Sequence, residues 1–210
     1  KGHSVESYYA VLAKKGFFPM EEVISTFSQF GSKFIGHPNN KLPGIEMNSG
    51  SLGHGLPVCV GMAMAGKMDR KDYRVYVVVG DGELAEGSVW EGAMAASHYC
   101  LDNLCAVVDR NRLQANGRTK ERFDTGDIMA KFLSFGWHVI EINGHDMREI
   151  LSALDEAETV KGVPTAIIAN TVKGKGVSFA ENVVGYHNGM LTEETYRQAL
   201  LELTVQEQEA

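Results

Sequence analysis

Apolar positions change their period several times along the chain, and the changes mark out alternating elements. Residues 73–80 form a β-branched run that stops at Gly80-Asp81-Gly82, and residues 104–109 form a second run that stops at Arg110-Asn111. Both read as buried parallel strands. Between them, residues 86–101 are Ala-rich and amphipathic, so 73–109 has the strand, helix, strand order of a βαβ unit. Helices are expected near 4–15 and 20–30, then a Gly-rich loop through 36–55 and a small-residue helix from about 56 to 68. Met62 and Met64 in that helix read as packing residues beside Gly and Ala, not as a site. Strands near 137–142 and 165–170 flank a helix from about 146 to 160. The tail from 192 to about 205 is expected to be helical, capped by Thr192-Glu-Glu, with 206–210 frayed. The pattern predicts an α/β fold, a mostly parallel, doubly wound sheet flanked by helices, with one domain over 1–210.

Composition narrows the class of protein. With 210 residues, 44% of them hydrophobic, the chain can bury one large α/β core. A net charge of −7 and the lack of any Lys/Arg cluster argue against a nucleic-acid surface. No run of 18 apolar residues and no signal peptide is present, so neither membrane insertion nor secretion is expected. Cys59, Cys100 and Cys105 have no paired metal spacing and read as reduced core thiols, which suits a cytoplasmic protein.

The two strand ends carry the candidate chemistry. A right-handed crossover brings Asp81 and Asn111 to one sheet edge, outside the carboxyl ends of the strands, where open α/β sheets bind ligands. Glycines allow backbone to approach a phosphate, and a helix beginning near Glu86 turns its positive end toward it. One Asp, one Asn and a backbone carbonyl, joined by phosphate oxygens, make an octahedral magnesium shell. Gly-Asp-Gly alone is also an ordinary turn, and strand-end aspartates are common helix caps. The dinucleotide fingerprint is absent, because the third glycine of Gly80-Asp-Gly-Glu-Leu-Ala-Glu-Gly87 comes too late.

Gly80-Asp81-Gly82 through Asn111 resembles the thiamine-diphosphate motif, and the flanking segments resemble the cofactor-binding half of transketolases, especially those split into two chains. Lys1-Gly-His3, Ile35-Gly-His-Pro38, Asn48-Ser-Gly-Ser-Leu-Gly-His-Gly55, Thr171-Val-Lys-Gly-Lys-Gly176 and Gly185-Tyr-His187 follow in family order over nearly the whole chain. The resemblance implies the thiamin-diphosphate-binding fold. It also implies two-carbon ketol transfer from a ketose phosphate to an aldose phosphate, with thiamine diphosphate and Mg2+ as cofactors, Ca2+ or Mn2+ being able to substitute. The chain begins inside a family motif, so the family's preceding helical segment is expected to be missing. The pyrimidine-binding domain, which supplies the activating glutamate, is also missing from so short a chain. A separate C-terminal subunit is therefore the expected partner, in an α2β2 assembly, and the lone chain is expected to be inactive.

By the same resemblance Asp81, the Asn111 side chain and the Leu113 carbonyl hold the metal. Gly80, Gly82 and Glu83 approach the diphosphate, the last two through backbone amides, and Gly50, Ser51 and Leu52 pass under the cofactor rings. His3, His37 and His187 line the substrate channel, where imidazole can donate and accept protons near neutral pH. From residue type alone each of the seven histidines could equally satisfy a local backbone group. That plainer reading is kept for His98, His138 and His145, and His54 is expected to shape its loop. Glu86 reads either as an acid near the subunit interface or as a helix N-terminal glutamate. Lys173 either approaches the cofactor phosphates or is an exposed strand-end lysine.

Two departures from the family pattern stand out. Asn188 separates His187 from Gly189, and Arg112 occupies a position that is usually small, so it either crowds the metal loop or points to solvent. Competing functions are a non-catalytic thiamine-diphosphate scaffold and another thiamine enzyme, such as deoxyxylulose-phosphate synthase or a dehydrogenase decarboxylating subunit. Gly36-His-Pro38 and the 48–55 loop favour transketolase.

Overall fold

The computed structural model describes the backbone of residues 1–209, and side chains at the C-terminal end as far as Thr204. After a 3₁₀ turn at Gly2–Ser4, the chain runs α1 (Val5–Lys14), α2 (Met20–Thr26), α3 (Gly55–Met68), β1 (Val75–Gly80), a 3₁₀ turn at Gly82–Ala85, α4 (Gly87–His98) and β2 (Leu104–Arg110). A small hairpin follows, β3 (Leu113–Gln114) and β4 (Gly117–Arg118), then α5 (Thr119–Arg122), α6 (Ile128–Ser134), β5 (His138–Asn143), α7 (Met147–Thr159) and β6 (Thr165–Asn170). A 3₁₀ turn at Val184–His187 leads to α8 (Glu193–Glu209).

Four strands form a wholly parallel sheet in the order β1-β2-β6-β5, in register from Val75 opposite Leu104 to Gly80 opposite Asp109. β6, inserted between β2 and β5, is buried along almost its full length, as a central parallel strand must be. One face is covered by α3, α4 and α6, whose Leu56, Val60, Val89, Ala93 and Phe132 pack on Val77, Val79, Val108 and Ile168. On the other face, α7 sets Ala153 and Ala157 against Cys105, Ile142 and Ile167. Helices on both faces make the sheet doubly wound, as expected. α1 and α2 build a satellite core with the following loop around Tyr9, Phe18, Phe34 and Leu42.

Several boundaries differ from the sequence expectation for local reasons. α2 ends at Thr26, not near 30, because Phe27 is extended and Ser28 is left-handed with φ 57°; the Ser28 N–H then donates to the Phe34 carbonyl. α4 stops at His98 because Cys100 takes φ 51° and turns the chain outward, so Cys100 is exposed and is not the core thiol expected of it. Cys105 is buried, and burial pushes its thiol up to about 11. The Thr192 hydroxyl accepts from the Thr195 N–H as the predicted cap. α8 carries the backbone through 206–209, and Ala210 lies outside the described residues.

Trp137 sits between the α4 and α6 layers, 3% exposed, and its Nε1 donates to the Ala93 carbonyl at 2.9 Å. Trp137→Phe removes that bond and leaves a gap, so it should cost about 1–3 kcal/mol in urea unfolding. A loss below about 0.5 kcal/mol would mean that this contact does not hold the helical layer to the sheet.

On the α7 face, β1 is left partly uncovered. Tyr76 and Val78 are 44% and 47% exposed, and they floor an apolar groove of about 750 Å³ between α1 and α7. No helix of the described residues is long and apolar enough to cross a membrane.

Candidate functional site

The site forms at the carboxyl ends of β1 and β2, which the parallel pairing places side by side. Asp81 follows β1 directly and is 3% exposed. One of its oxygens accepts the Gly82 N–H at 2.8 Å and the other accepts the Arg112 N–H at 2.6 Å, so the carboxylate ties the two strand ends together. Burial raises its pKa above the ordinary carboxylate value against the pull of those two amides. Asn111 is also buried; its Oδ1 accepts from the Leu113 N–H at 3.0 Å and its Nδ2 donates to Asp109 at 3.2 Å. Leu113 opens β3 beside it.

Asp109, the last β2 residue before Arg110, gathers Lys1, Thr171 and Asn111. Burial alone would raise its pKa, but the Lys1 ammonium and these hydrogen bonds outweigh burial and hold it below the usual range. Lys173 is half-buried behind this cluster. Its pKa is lowered by burial and by Lys1, while Asp109 and Asp81 pull the other way.

Three histidines meet over the same edge. The His3 and His37 rings lie 5.1 Å apart, edge to face. Burial and the neighbouring His37 lower the pKa of His3. His187, at the end of the last 3₁₀ turn, has its pKa lowered by burial, then by Lys173 and His3, and its Nδ1 is buried without a partner. The 48–55 loop folds against them. A Cβ on Gly50, which has φ 151°, would come within 2.8 Å of the His37 ring, so only glycine admits this approach.

The remaining candidates separate cleanly. Ser51 and Leu52 are exposed in the loop, and His54 closes it by meeting the Leu52 carbonyl at 3.0 Å. Glu86 occupies the position preceding α4 with no side-chain capping bond. The Glu83 side chain turns inward, where its oxygens accept the Gly53 and Gly80 N–H groups. Arg112 points away over the sheet edge, donating to Asn170 Oδ1 at 3.1 Å, and its φ of 63° lets its amide reach Asp81 without crowding the loop. His98 meets Tyr99 edge to face, His138 faces Glu156 at 2.7 Å, and His145 Nε2 accepts the Val172 N–H, so each makes a local contact.

One residue escaped the sequence reading. Gln114 packs so closely on Gly82 that a Cβ there would lie 2.8 Å from its Cγ, and its Nε2 is buried with no partner. Among the described residues, no group of three His, Cys, Asp or Glu side chains could hold a metal unaided. Hard oxygens of Asp81, Asn111 and Leu113, a glycine cradle at Gly82 and an orphaned donor on Gln114 do fit a magnesium diphosphate that completes the metal shell itself. This donor chemistry, more than the volume of the apolar groove, marks the strand ends as the site.

Residues 1–209 match the family described as transketolase, thiamine diphosphate binding domain. The chain belongs to the transketolase family. It is 47% identical over 204 residues to one of the apulose-4-phosphate transketolase subunits of Phocaeicola vulgatus, a match covering 97% of this chain and 72% of that protein. A 6-deoxy-6-sulfo-D-fructose transketolase subunit from a Clostridium species is 43% identical, covering 97% and 74% respectively. The crystal structure of Campylobacter jejuni transketolase superposes with a TM-score of 0.87 at 33% identity, over 94% of this chain and 32% of that one. The chain is thus the thiamine-diphosphate-binding part of a transketolase, and the first two of these relatives are named as transketolase subunits.

Proposed function

We propose that this chain, as one thiamine-diphosphate-binding domain over 1–210, binds the cofactor and Mg2+ at the β1–β2 edge and catalyses ketol transfer between sugar phosphates once joined by a separate pyrimidine-domain subunit. The observation that carries this reading is the Asp81–Asn111–Leu113 oxygen set, held by backbone amides beside a glycine turn at adjacent parallel strand ends. Asp81, Asn111 and the Leu113 carbonyl hold the metal. Gly80, Gly82 and Glu83 bring backbone to the diphosphate, and Lys173 adds positive charge behind it. Gly50, Ser51 and Leu52 line the ring end, and Glu86 faces the partner.

When bound, thiamine diphosphate supplies a nucleophilic carbon and an electron sink for cleaving the C–C bond beside a ketose carbonyl. The chain's own groups do the rest. His3, His37 and His187 bind sugar hydroxyls and move protons at the substrate carbonyl oxygen. Their lowered pKa values, at His3 and His187, keep those imidazoles neutral and able to accept a proton at pH 7. The retained histidines and metal donors favour an enzyme over a decayed scaffold.

The assembly proposed is α2β2 in the cytoplasm, with the activating glutamate contributed by the partner. Mixing the purified chain with the product of a neighbouring pyrimidine-domain gene, and following ketol transfer from a ketose phosphate, tests the proposal. Activity is expected only in the mixture, with a mass of two copies of each chain by light scattering. Activity of the chain alone would contradict it.

A further inference from the structure

Between the 48–55 loop and the Gly80-Asp81-Gly82 turn lies a connection that the metal donors and histidines do not explain. Glu83 is a carboxylate only 6% exposed, and both its oxygens are taken up by backbone. Oε1 accepts the Gly53 N–H at 2.9 Å, and Oε2 accepts the Gly80 N–H at 3.2 Å. The other side of the Gly53 residue is held as well, because the Ser88 hydroxyl donates to its carbonyl at 2.8 Å. Gly53 has φ 80°, and a Cβ there would meet Glu86 Cβ and Ser88 Oγ, each at 2.6 Å. The 48–55 loop is thereby pressed onto the turn that leads into α4. Trp90 Nε1 donates to the Leu84 carbonyl at 2.9 Å and braces that turn from behind.

We propose that Glu83 and Ser88 are positioning residues that lock the 48–55 loop to the Gly80-Asp81-Gly82 turn, so that the ring end and the diphosphate end of the cofactor site are set at a fixed spacing before the cofactor enters. The proposal rests on the cofactor reading given above. Its physical basis is preorganisation: a loop already ordered by charge-assisted bonds does not lose that freedom on binding. A carboxylate is the group that suits this place, since it alone offers two acceptors to two amides. Glutamine, of the same shape, turns a donor toward one of the N–H groups.

Glu83→Gln and Ser88→Ala test the clamp by two measurements on the intact chain. Without ligand, hydrogen exchange of amides 49–54 should speed up about tenfold in Glu83→Gln and less in Ser88→Ala, while β2 and β6 amides exchange as in wild type. With magnesium, calorimetry should show thiamine diphosphate bound about tenfold more weakly by Glu83→Gln and less so by Ser88→Ala, while inorganic diphosphate, which needs only one end of the site, should bind Ser88→Ala nearly as it binds wild type. Unchanged exchange at 49–54 would overturn the proposal, as would equal acceleration across the sheet or equal weakening of both ligands in Ser88→Ala. If Glu83→Gln fails to fold, Ser88→Ala carries the same comparison. If wild type binds no thiamine diphosphate even when mixed with the pyrimidine-domain subunit, the cofactor reading falls, and the exchange measurement still decides the clamp.

Discussion

Asp81→Ala is expected to abolish magnesium-dependent binding of thiamine diphosphate, by more than about 100-fold in affinity, since it removes the one charged metal donor at the site. The same carboxylate holds the Gly82 and Arg112 amides, so its loss also strands two N–H groups at about 1–3 kcal/mol each. These effects must be separated. Asp81→Asn keeps an oxygen for one amide and loses the charge, so its fold should survive while metal-dependent binding still collapses. Circular dichroism reports the first and calorimetry with and without magnesium the second. A folded Asp81→Asn that binds the cofactor as wild type does would remove Asp81 from the metal shell.

His3→Ala and His37→Ala, assayed in the complete enzyme, should each lower kcat by about 10²–10⁴-fold with cofactor affinity unchanged, the range for a lost general acid or base. The pH dependence has a definite sign. The folded pKa of His3 lies below its ordinary value of 6.5, because burial and His37 disfavour the cation. His3 therefore stays neutral as pH falls through 6.5, and an acid limb of kcat/KM due to it must lie lower than that. An acid limb above 6.5 that vanishes in His3→Ala would contradict the placement. The same depression makes protonation of His3 oppose folding, so any stability tied to it is present above pH 6.5 and is lost below.

How much of this was readable in the chain varies with the range of the forces involved. β2 and β6 were legible because a central parallel strand must be apolar on both faces, and β1, at the sheet edge, because its β-branched run stops at Gly80-Asp81-Gly82. Pairing of Asp81 with Asn111 followed from topology, since adjacent parallel strands bring their carboxyl ends together. α6 went unread. Its seven residues are too few to show a period, although Asp127, whose side chain accepts from the Ala130 N–H, is a legible cap. The hairpin of β3 and β4 is shorter still.

At the site, side-chain direction was the hidden quantity. Glu83 stands close to Asp81 in sequence, yet the burial of its side chain depends on amides of Gly53 and Gly80 that only the fold brings to it. Gln114 gave no signal, because a polar residue after a strand end is ordinary until its partner fails to appear. Arg112, open in two directions from sequence, is turned outward by Asn170, a residue on β6. The exposure of Cys100 follows from a left-handed backbone that no local composition announced.

The most direct test of the central claim is calorimetric titration of thiamine diphosphate, with and without magnesium, into the chain alone and into its mixture with the pyrimidine-domain subunit. Binding that requires magnesium and tightens when the partner is present is the result the account predicts. Absence of binding in both samples, with magnesium at saturating concentration, would contradict it.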